Sequence, residues 1–251
     1  MDRGPSGEPG EAMARRALEL VPDGGALGLG SGRAARAFVR VLAARVRAGF
    51  QIRCVSTSRA TEDLARELGI PLVSLEEVGQ LDLAVDGADE IDPSLDLIKG
   101  YGGALVREMI VASAARRLVI LAEPEKLVRT LGERGTLPVE IVPFGWSLGA
   151  RRLVELGHRP RRRGVEGAPF LTDNGNHILD CSVAPIADAA ELERQIQAIP
   201  GVVGTGLFLG MAETVFLEDE RGGVSLLRRA PRSARPDAPP ASHPPDDGKR
   251  K

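Results

Sequence analysis

Short aliphatic runs alternate with helical patterns through the first half of this chain, and this alternation restricts its fold more than any other feature. The predicted strands are 26–30, 51–55, 70–75, 81–85 and 117–122, and the predicted helices are 11–21, 33–46, 59–68 and 103–115. The strands are continuously apolar, which is typical of strands buried on both faces. The pattern therefore predicts an α/β fold with a mostly parallel sheet covered by helices.

The pattern changes near residue 131. Strands are predicted at 138–142, 170–173 and 177–183, helices at 147–156 and 187–199, and a tight turn at 173–176. This order favours a small α+β layer. Two late strands, 202–209 and 214–217, are expected to rejoin the first sheet.

Both ends of the chain differ in composition from the middle. Residues 1–10 are rich in glycine and proline, and the tail from residue 231 mixes six prolines with charged residues. Neither segment can bury enough apolar surface to order itself, so we expect disorder at 1–10 and at 230–251.

The composition favours a cytoplasmic protein. A formal net charge of −2 gives no general attraction to nucleic acid or to an anionic membrane, and no apolar run approaches the ~18–20 residues of a membrane span. The N-terminus lacks the apolar segment of a signal peptide. Cys54 and Cys181 lie in strand-like runs, where buried free thiols are a better interpretation than a disulfide.

The first candidate site is the glycine turn Gly28-Leu29-Gly30-Ser31-Gly32, between a predicted strand and a predicted helix. Backbone N–H groups and a helix N-terminus in this arrangement bind anions. A dinucleotide site is disfavoured, because Arg33 replaces the third glycine and the next strand does not end in an acid. A sugar-phosphate or mononucleotide cradle and a plain structural turn remain open.

The second candidate is the acidic turn 86–92. The strand at 81–85 delivers Asp86 to the carboxyl edge of the sheet, where open α/β folds bind ligands. Gly87 and Ala88 allow the backbone to approach a small ligand closely. A metal site and a solvated turn are the alternatives, although the calcium-loop pattern is not met.

The third candidate is the segment from Lys99 to Glu108, in which glycines stand at 100, 102 and 103. Its loop is either a second cradle for the same ligand or a hinge. Neighbouring acids would raise the pKa of Glu108 toward neutrality, whereas Lys99 would oppose that shift.

Two further groups carry weaker signals. His158, His177 and His243 are scattered and show no zinc-ligand spacing. The basic run at 159–163 is interpreted as a solvated loop; a subunit contact or a rim that steers anions is the alternative.

At this point the residues resemble the type A ribose-5-phosphate isomerase family, from about residue 11 to about residue 217. The matching words are Gly28-Leu29-Gly30-Ser31-Gly32, Val85-Asp86-Gly87-Ala88-Asp89-Glu90-Ile91, Lys99-Gly100 with Gly102-Gly103-Ala104-Leu105 and Arg107-Glu108, Leu137-Pro138-Val139-Glu140, Thr172-Asp173-Asn174-Gly175-Asn176, and Ile199-Pro200-Gly201-Val202-Val203 with Gly206-Leu207-Phe208. These six sequence motifs occur in the same order as in the family, which makes the resemblance specific.

The resemblance implies a metal-independent and cofactor-independent interconversion of ribose 5-phosphate and ribulose 5-phosphate, a step of the pentose phosphate pathway. Glu108 would carry a proton between C1 and C2, Asp86 and Asp89 would handle hydroxyl protons and ring opening, and Lys99 would stabilise the oxyanion. Substrate-binding residues would be Ser31, Gly32, Arg33, Ala34, Gly87, Ala88, Gly100, Tyr101, Gly102 and Lys126.

The resemblance also implies an architecture. A Rossmann-like domain, 11–131 plus 203–229, would carry an inserted smaller α+β domain of ferredoxin-like type at 132–202. The family usually assembles as homodimers or homotetramers.

Several residues depart from the family pattern. Arg33 and Ala34 stand where hydroxyl residues are usual, Tyr101 replaces a glycine, Val106 a threonine and Met109 a lysine. Arg33 would either bind phosphate in a bidentate manner or point away from it. Two other functions stay open: a non-catalytic sugar-phosphate sensor, and another phosphosugar enzyme such as a deaminase or a lactonase.

Overall fold

The computed structural model describes residues 9–165 and 167–230. In chain order, the strands are β1 (Gly25–Leu29), β2 (Ile52–Ser56), β3 (Leu83–Asp86), β4 (Glu90–Ile91), β5 (Leu97–Ile98), β6 (Leu118–Ala122), β7 (Thr136–Ile141), β8 (Arg159–Arg162), β9 (Gly164–Val165), β10 (Ala168–Pro169), β11 (His177–Ser182), β12 (Val202–Thr205), β13 (Leu207–Phe208), β14 (Ala212–Glu218) and β15 (Val224–Arg228). The α-helices are α1 (Glu11–Leu18), α2 (Gly32–Arg47), α3 (Arg59–Glu67), α4 (Leu75–Val78), α5 (Leu105–Ala114), α6 (Trp146–Glu155) and α7 (Ala189–Gln197). The disorder predicted for 1–8 and 231–251 lies outside the described residues.

The main sheet has six strands in the order β15-β14-β6-β3-β1-β2. Each pair of neighbours is parallel except β14 and β15, which form an antiparallel hairpin at one edge. This confirms the predicted mostly parallel sheet. The edge strand β15 was not predicted: polar Ser225 interrupts its apolar residues, and none of its five residues is buried.

Helices cover both faces of this sheet. On one face α1 and α2 bury Met13, Phe38 and Leu42, each at most 1% exposed. On the other face α5 packs directly over β1. A Cβ atom at Gly28 would overlap Val111 of α5, so the glycine in the strand permits this close approach.

The smaller sheet is antiparallel, in the order β12-β7-β11-β8. Together with α6 and α7, its strands follow the chain order β–α–β–β–α–β, which is the ferredoxin-like arrangement that was predicted. Leu137, Val139, Ile141 and Leu179 are completely buried in its core. The expected boundary between residues 202 and 203 falls inside β12, and the division into two domains stays a prediction.

A third sheet of three short strands, β13-β5-β4, contributes to the site. Its pairing places Asp89 directly before β4 and Lys99 directly after β5. These two-residue strands are too short to leave a recognisable periodicity in the sequence.

Three sequence predictions are wrong in detail. Residues 70–75 form no strand: Leu72 makes one isolated bridge, and Ser74 caps α4 through a capping box. Residues 170–173 lead into a turn stabilised by side chains, and the strand lies earlier, in β10. The run 202–209 divides at Gly206 into β12 and β13, neither of which joins the main sheet.

The basic run at 159–163 is also not a solvated loop. Arg159–Arg162 form β8, the edge strand of the smaller sheet, and Arg163 follows it with a largely buried side chain. The two cysteines are buried and free, as predicted.

The start of the described chain is tied to the main sheet. Pro9 and Gly10, the last residues of the segment expected to be disordered, form a turn before α1. The N–H of Gly10 donates to the carboxylate of Glu218. Within the two described ranges, every helix is too short or too polar to traverse a bilayer.

Candidate active site

Three neighbouring parallel strands, β1, β3 and β6, end at one edge of the main sheet. The chain continues from β1 outward to β2, whereas from β3 it continues in the opposite direction to β6. The edge between β1 and β3 is therefore a topological switch point, where open α/β sheets bind ligands. A cavity of about 360 Å³ lies there, a size that suits a small metabolite.

Twelve of the fourteen predicted site residues line this cavity. They are Ser31, Gly32, Arg33, Ala34, Gly87, Ala88, Asp89, Lys99, Gly100, Gly102, Glu108 and Lys126. The remaining two, Asp86 and Tyr101, contact lining residues from behind. Leu121, Ala122 and Glu123 complete the wall.

Lys99 is the centre of the charged cluster. Its Nζ lies 3.1 Å from Asp86 Oδ2 and 3.4 Å from Glu108 Oε2, and it donates to the carbonyl oxygen of Gly87 at 2.5 Å. The side chains of Lys99, Asp86 and Glu108 are 4%, 5% and 7% exposed. A lysine buried among carboxylates stays charged, because they compensate the loss of its hydration.

Asp86 is fixed by the backbone around it. Its Oδ1 accepts hydrogen bonds from the N–H groups of Ser31, at 3.0 Å, and Gly87, at 2.7 Å. A Cβ atom at Gly30 would overlap both the carboxylate and the Cα of Asp86, so only glycine allows the two strand ends to meet this closely. Asp86 Oδ2 is thereby directed to Lys99.

Glu108 lies in the first turn of α5 and points into the cavity. Its Oε2 is buried and accepts no hydrogen bond from the described residues. Burial raises the pKa of Glu108 to about 8, the charge of Asp86 adds to this rise, and Lys99 opposes it. A carboxyl with a pKa near neutrality is suited to both accept and return a proton.

The pKa of Lys99 is raised above its ordinary value. Burial acts to lower it, but the charges of Asp86 and Glu108 outweigh burial. Lys99 therefore keeps its proton at neutral pH and provides a fixed, buried positive charge.

Asp89 directly precedes β4 and lines the cavity. Its Oδ2 accepts a hydrogen bond of 2.9 Å from the N–H of Tyr101. The hydroxyl of Tyr101 donates to the carbonyl of Thr136 at 3.2 Å, so this ring lies away from the cavity. Burial raises the pKa of Tyr101 to about 12, which keeps the hydroxyl protonated.

The other end of the cavity is formed by the N-terminus of α2. Ser31 precedes this helix but does not cap it with its side chain. Its hydroxyl instead bonds to those of Thr57, at 2.7 Å, and Ser58, at 2.9 Å. The first N–H groups of a 16-residue helix are therefore available to an anion.

The side chain of Arg33 is 74% exposed, yet an ion pair holds its guanidinium group. Its Nη2 donates to both carboxylate oxygens of Glu123, at 2.6 and 2.7 Å. Both residues line the cavity, as does Lys126 on the turn that follows Glu123. Arg33, Lys126 and the helix N-terminus together make this end of the cavity positive.

Sequence reasoning missed several residues that form the site. Thr57 and Ser58 follow β2, and a run of hydroxyl residues at the end of the strand beside β1 was an available signal. Glu123 follows β6 in the same way as Asp86 ends β3. Arg163 contacts the glycine loop from the smaller sheet, and no local pattern indicated this.

The chain matches known proteins of one family. The model of the ribose 5-phosphate isomerase A (phosphoriboisomerase A) family matches residues 53–222. The ribose-5-phosphate isomerase A of Gloeobacter violaceus is 51% identical over 218 residues, covering 86% of this chain and 94% of that protein. The corresponding protein of Roseiflexus castenholzii is 54% identical over 216 residues, covering 85% and 92%.

Solved structures agree with these matches. The ribose 5-phosphate isomerase A of Methanocaldococcus jannaschii superposes with a TM-score of 0.82 at 39% identity, over 87% of this chain and 97% of that chain. A D-ribose-5-phosphate isomerase in complex with phospho-erythronic acid superposes with a TM-score of 0.84 at 35% identity, over 88% and 97%. The chain therefore belongs to the ribose 5-phosphate isomerase A family.

Proposed function

We propose that this protein interconverts D-ribose 5-phosphate and D-ribulose 5-phosphate, with Glu108 as the base. The observation that carries the proposal is the carboxylate oxygen Glu108 Oε2, which is buried, accepts no hydrogen bond from the described residues and lies 3.4 Å from Lys99 Nζ. Family membership supports the same activity.

The chemistry follows from this geometry. Glu108 removes the proton from C2 of the open-chain aldose, and the electron pair moves to form a C1–C2 double bond with negative charge on O1. Lys99, whose side chain is only 4% exposed, stabilises that charge. Glu108 then returns the proton to C1, while the hydroxyl proton of O2 is transferred to O1, which yields the ketose.

Asp86 and Asp89 have separate roles in this scheme. Asp86 lies behind Lys99 and fixes its ammonium group, at 3.1 Å, for the oxyanion. Asp89 lines the cavity directly and is placed to exchange protons with sugar hydroxyls, including the proton transfer that opens the furanose ring.

The phosphate is assigned to the positive end of the cavity. The uncapped N-terminus of α2, Arg33 and Lys126 supply donors there, and Gly32 and Ala34 offer backbone N–H groups. A relative with a TM-score of 0.84 was solved with phospho-erythronic acid. That ligand pairs a phosphate with a carboxylate, and we infer that this cavity accepts the same pair of charged ends.

No metal ion is required in this mechanism, because Lys99 provides the positive charge at the reacting oxygen. We also propose that the protein acts as a homodimer or homotetramer, and that it is cytoplasmic. The two buried, unpaired thiols fit a reducing compartment.

The direct test is conversion of ribose 5-phosphate with a chelator present, for the wild type and for Glu108→Gln. Loss of the base should reduce kcat by about 10²–10⁴-fold. Glu67→Gln on the exposed surface of α3 is the matched control and should retain wild-type activity. Tight binding of pentose phosphates without turnover by the wild type would instead indicate a sensor, and an undiminished rate in Glu108→Gln would exclude this base.

A further inference from the structure

Arg163 is the one member of the basic run that turns inward to the site. Its side chain is 16% exposed and forms an ion pair with Asp180, which is 12% exposed. Nε donates to Asp180 Oδ2 at 2.9 Å, and Nη2 donates to the other carboxylate oxygen. Nη1 donates to two backbone carbonyl oxygens, those of Gly100 at 3.0 Å and Tyr101 at 3.1 Å.

These two carbonyls belong to the glycine loop that follows Lys99. In a trans peptide, the C=O and the next N–H point in opposite directions, and every peptide bond described here is trans. Because the carbonyl of Gly100 faces Arg163, the N–H of Tyr101 faces the other way, where it donates to Asp89. Because the carbonyl of Tyr101 also faces Arg163, the N–H of Gly102 points away from Arg163, and Gly102 lines the cavity.

We propose that Arg163 is a positioning residue that acts on the site through this loop. By binding two consecutive carbonyls from behind, it directs one N–H to Asp89 and the next N–H toward the substrate. A charged donor also polarises both peptide groups, which makes their N–H groups stronger donors. The inference rests on the proposed function for its substrate, and it assigns the smaller sheet a role in the reaction.

The residues around Arg163 support a fixed position for it. The ring centroid of Phe170 lies 5.8 Å from its guanidinium carbon. A Cβ atom at Gly103 would overlap the same ring, so the loop passes directly against Phe170. The loop is thus enclosed between Arg163 and Phe170 on one side and the cavity on the other.

The role requires a guanidinium and not only a positive charge. Nε and Nη2 of the planar guanidinium both bind the carboxylate of Asp180, and Nη1 is the nitrogen that binds the loop carbonyls. A lysine has a single ammonium nitrogen, so it lacks the separate donor nitrogens needed to bind a carboxylate and two carbonyls at the same time. Arg163→Lys should therefore preserve the ion pair with Asp180 but lose the hydrogen bonds to the carbonyl oxygens of Gly100 and Tyr101.

The experiment compares wild type, Arg163→Lys, Arg163→Ala and the matched control Arg161→Ala, whose side chain on β8 is exposed. For each, we would measure kcat and KM for ribose 5-phosphate, the Kd of phospho-erythronic acid by calorimetry, and the effect of added guanidinium ion. Both Arg163 variants should lose about 10–100-fold in kcat/KM and in affinity, and guanidinium should restore part of the activity of Arg163→Ala. Arg161→Ala should match the wild type.

The outcomes separate the two proposals. If the wild-type protein shows no turnover, the proposed function is refuted. The ratio of variant to wild-type affinity would still test whether Arg163 positions the loop. Arg163→Lys with wild-type kcat/KM and affinity would overturn the inference, as would a folded Arg163→Ala that guanidinium does not rescue. If Arg163→Ala does not fold, Arg163→Lys decides the question alone.

Discussion

The buried position of Glu108 predicts how the rate depends on pH. Its pKa is raised to about 8, first by burial and then by the charge of Asp86. Only the ionised carboxylate removes a proton, so about one tenth of the enzyme is active at pH 7 and about one hundredth at pH 6. We expect kcat/KM, which reports ionisations of the free enzyme, to rise about tenfold from pH 6 to pH 7 and to level off above pH 8.

The assay is the initial rate of ribulose 5-phosphate formation at substrate concentrations well below KM, which gives kcat/KM, from about pH 5 to about pH 10. The substrate phosphate, whose second pKa is about 6, is the main competing titration. The phosphate titrates in the wild type and in Glu108→Gln alike, so comparison of the two profiles isolates the limb that belongs to Glu108. In Glu108→Gln the limb near pH 8 should disappear, while a limb due to phosphate should persist in kcat/KM.

Two results would refute this reasoning. A midpoint of the kcat/KM profile near the ordinary glutamate pKa of about 4.5 would mean that burial does not control the ionisation of Glu108. A limb near pH 8 that survives unchanged in Glu108→Gln would assign the titration to another group.

The remaining predictions concern the residues around Glu108. Lys99→Met should lower kcat by about 10²–10³-fold. It should also move the residual activity to higher pH, because Lys99 lowers the pKa of Glu108. A shift of the residual activity to lower pH would contradict this. Gly30→Ala should destabilise the protein by about 1–3 kcal/mol in urea unfolding and reduce kcat, because the new methyl group overlaps Asp86; unchanged unfolding and rate would show that the strand ends can separate freely. Arg33→Ala should raise the KM for ribose 5-phosphate about tenfold with little change in kcat, because its guanidinium lines the end of the cavity to which we assign the phosphate. An unchanged KM would exclude Arg33 as a phosphate ligand.

Local patterns predicted most of the fold. The aliphatic runs located the parallel strands, and the change near residue 131 located the start of a ferredoxin-like arrangement. The errors fall where tertiary contacts override local preference. The segment 170–173 has the composition of a strand, yet the following turn wraps its side chains around the buried carboxylate of Glu140. Glu140 comes from a distant strand, and a local pattern contains no information about such a partner.

The candidate site divides in the same way. Asp86 could be recognised because it follows a predicted strand at the carboxyl edge of the sheet. Lys99 and Glu108 could be recognised because they flank a run of glycines and match the family's motif. Glu123 and Thr57 also follow strands, but their contacts with Arg33 and Ser31 connect segments far apart in the chain. Such contacts depend on which strands become neighbours in the sheet. The periodicity of a single strand does not predict the order of the strands.

The sequence by itself determined most of the chemical groups that line the candidate site, because motif spacing, strand periodicity and glycine placement are local properties. Only the tertiary structure decided the state of those groups. The pKa of Glu108 depends on its burial and on its distances to Asp86 and Lys99, which arrive on separate elements. The inward turn of Arg163 depends on the packing of the smaller sheet against the glycine loop. Electrostatic energy depends on distances and burial in three dimensions, so it cannot be predicted from the sequence alone.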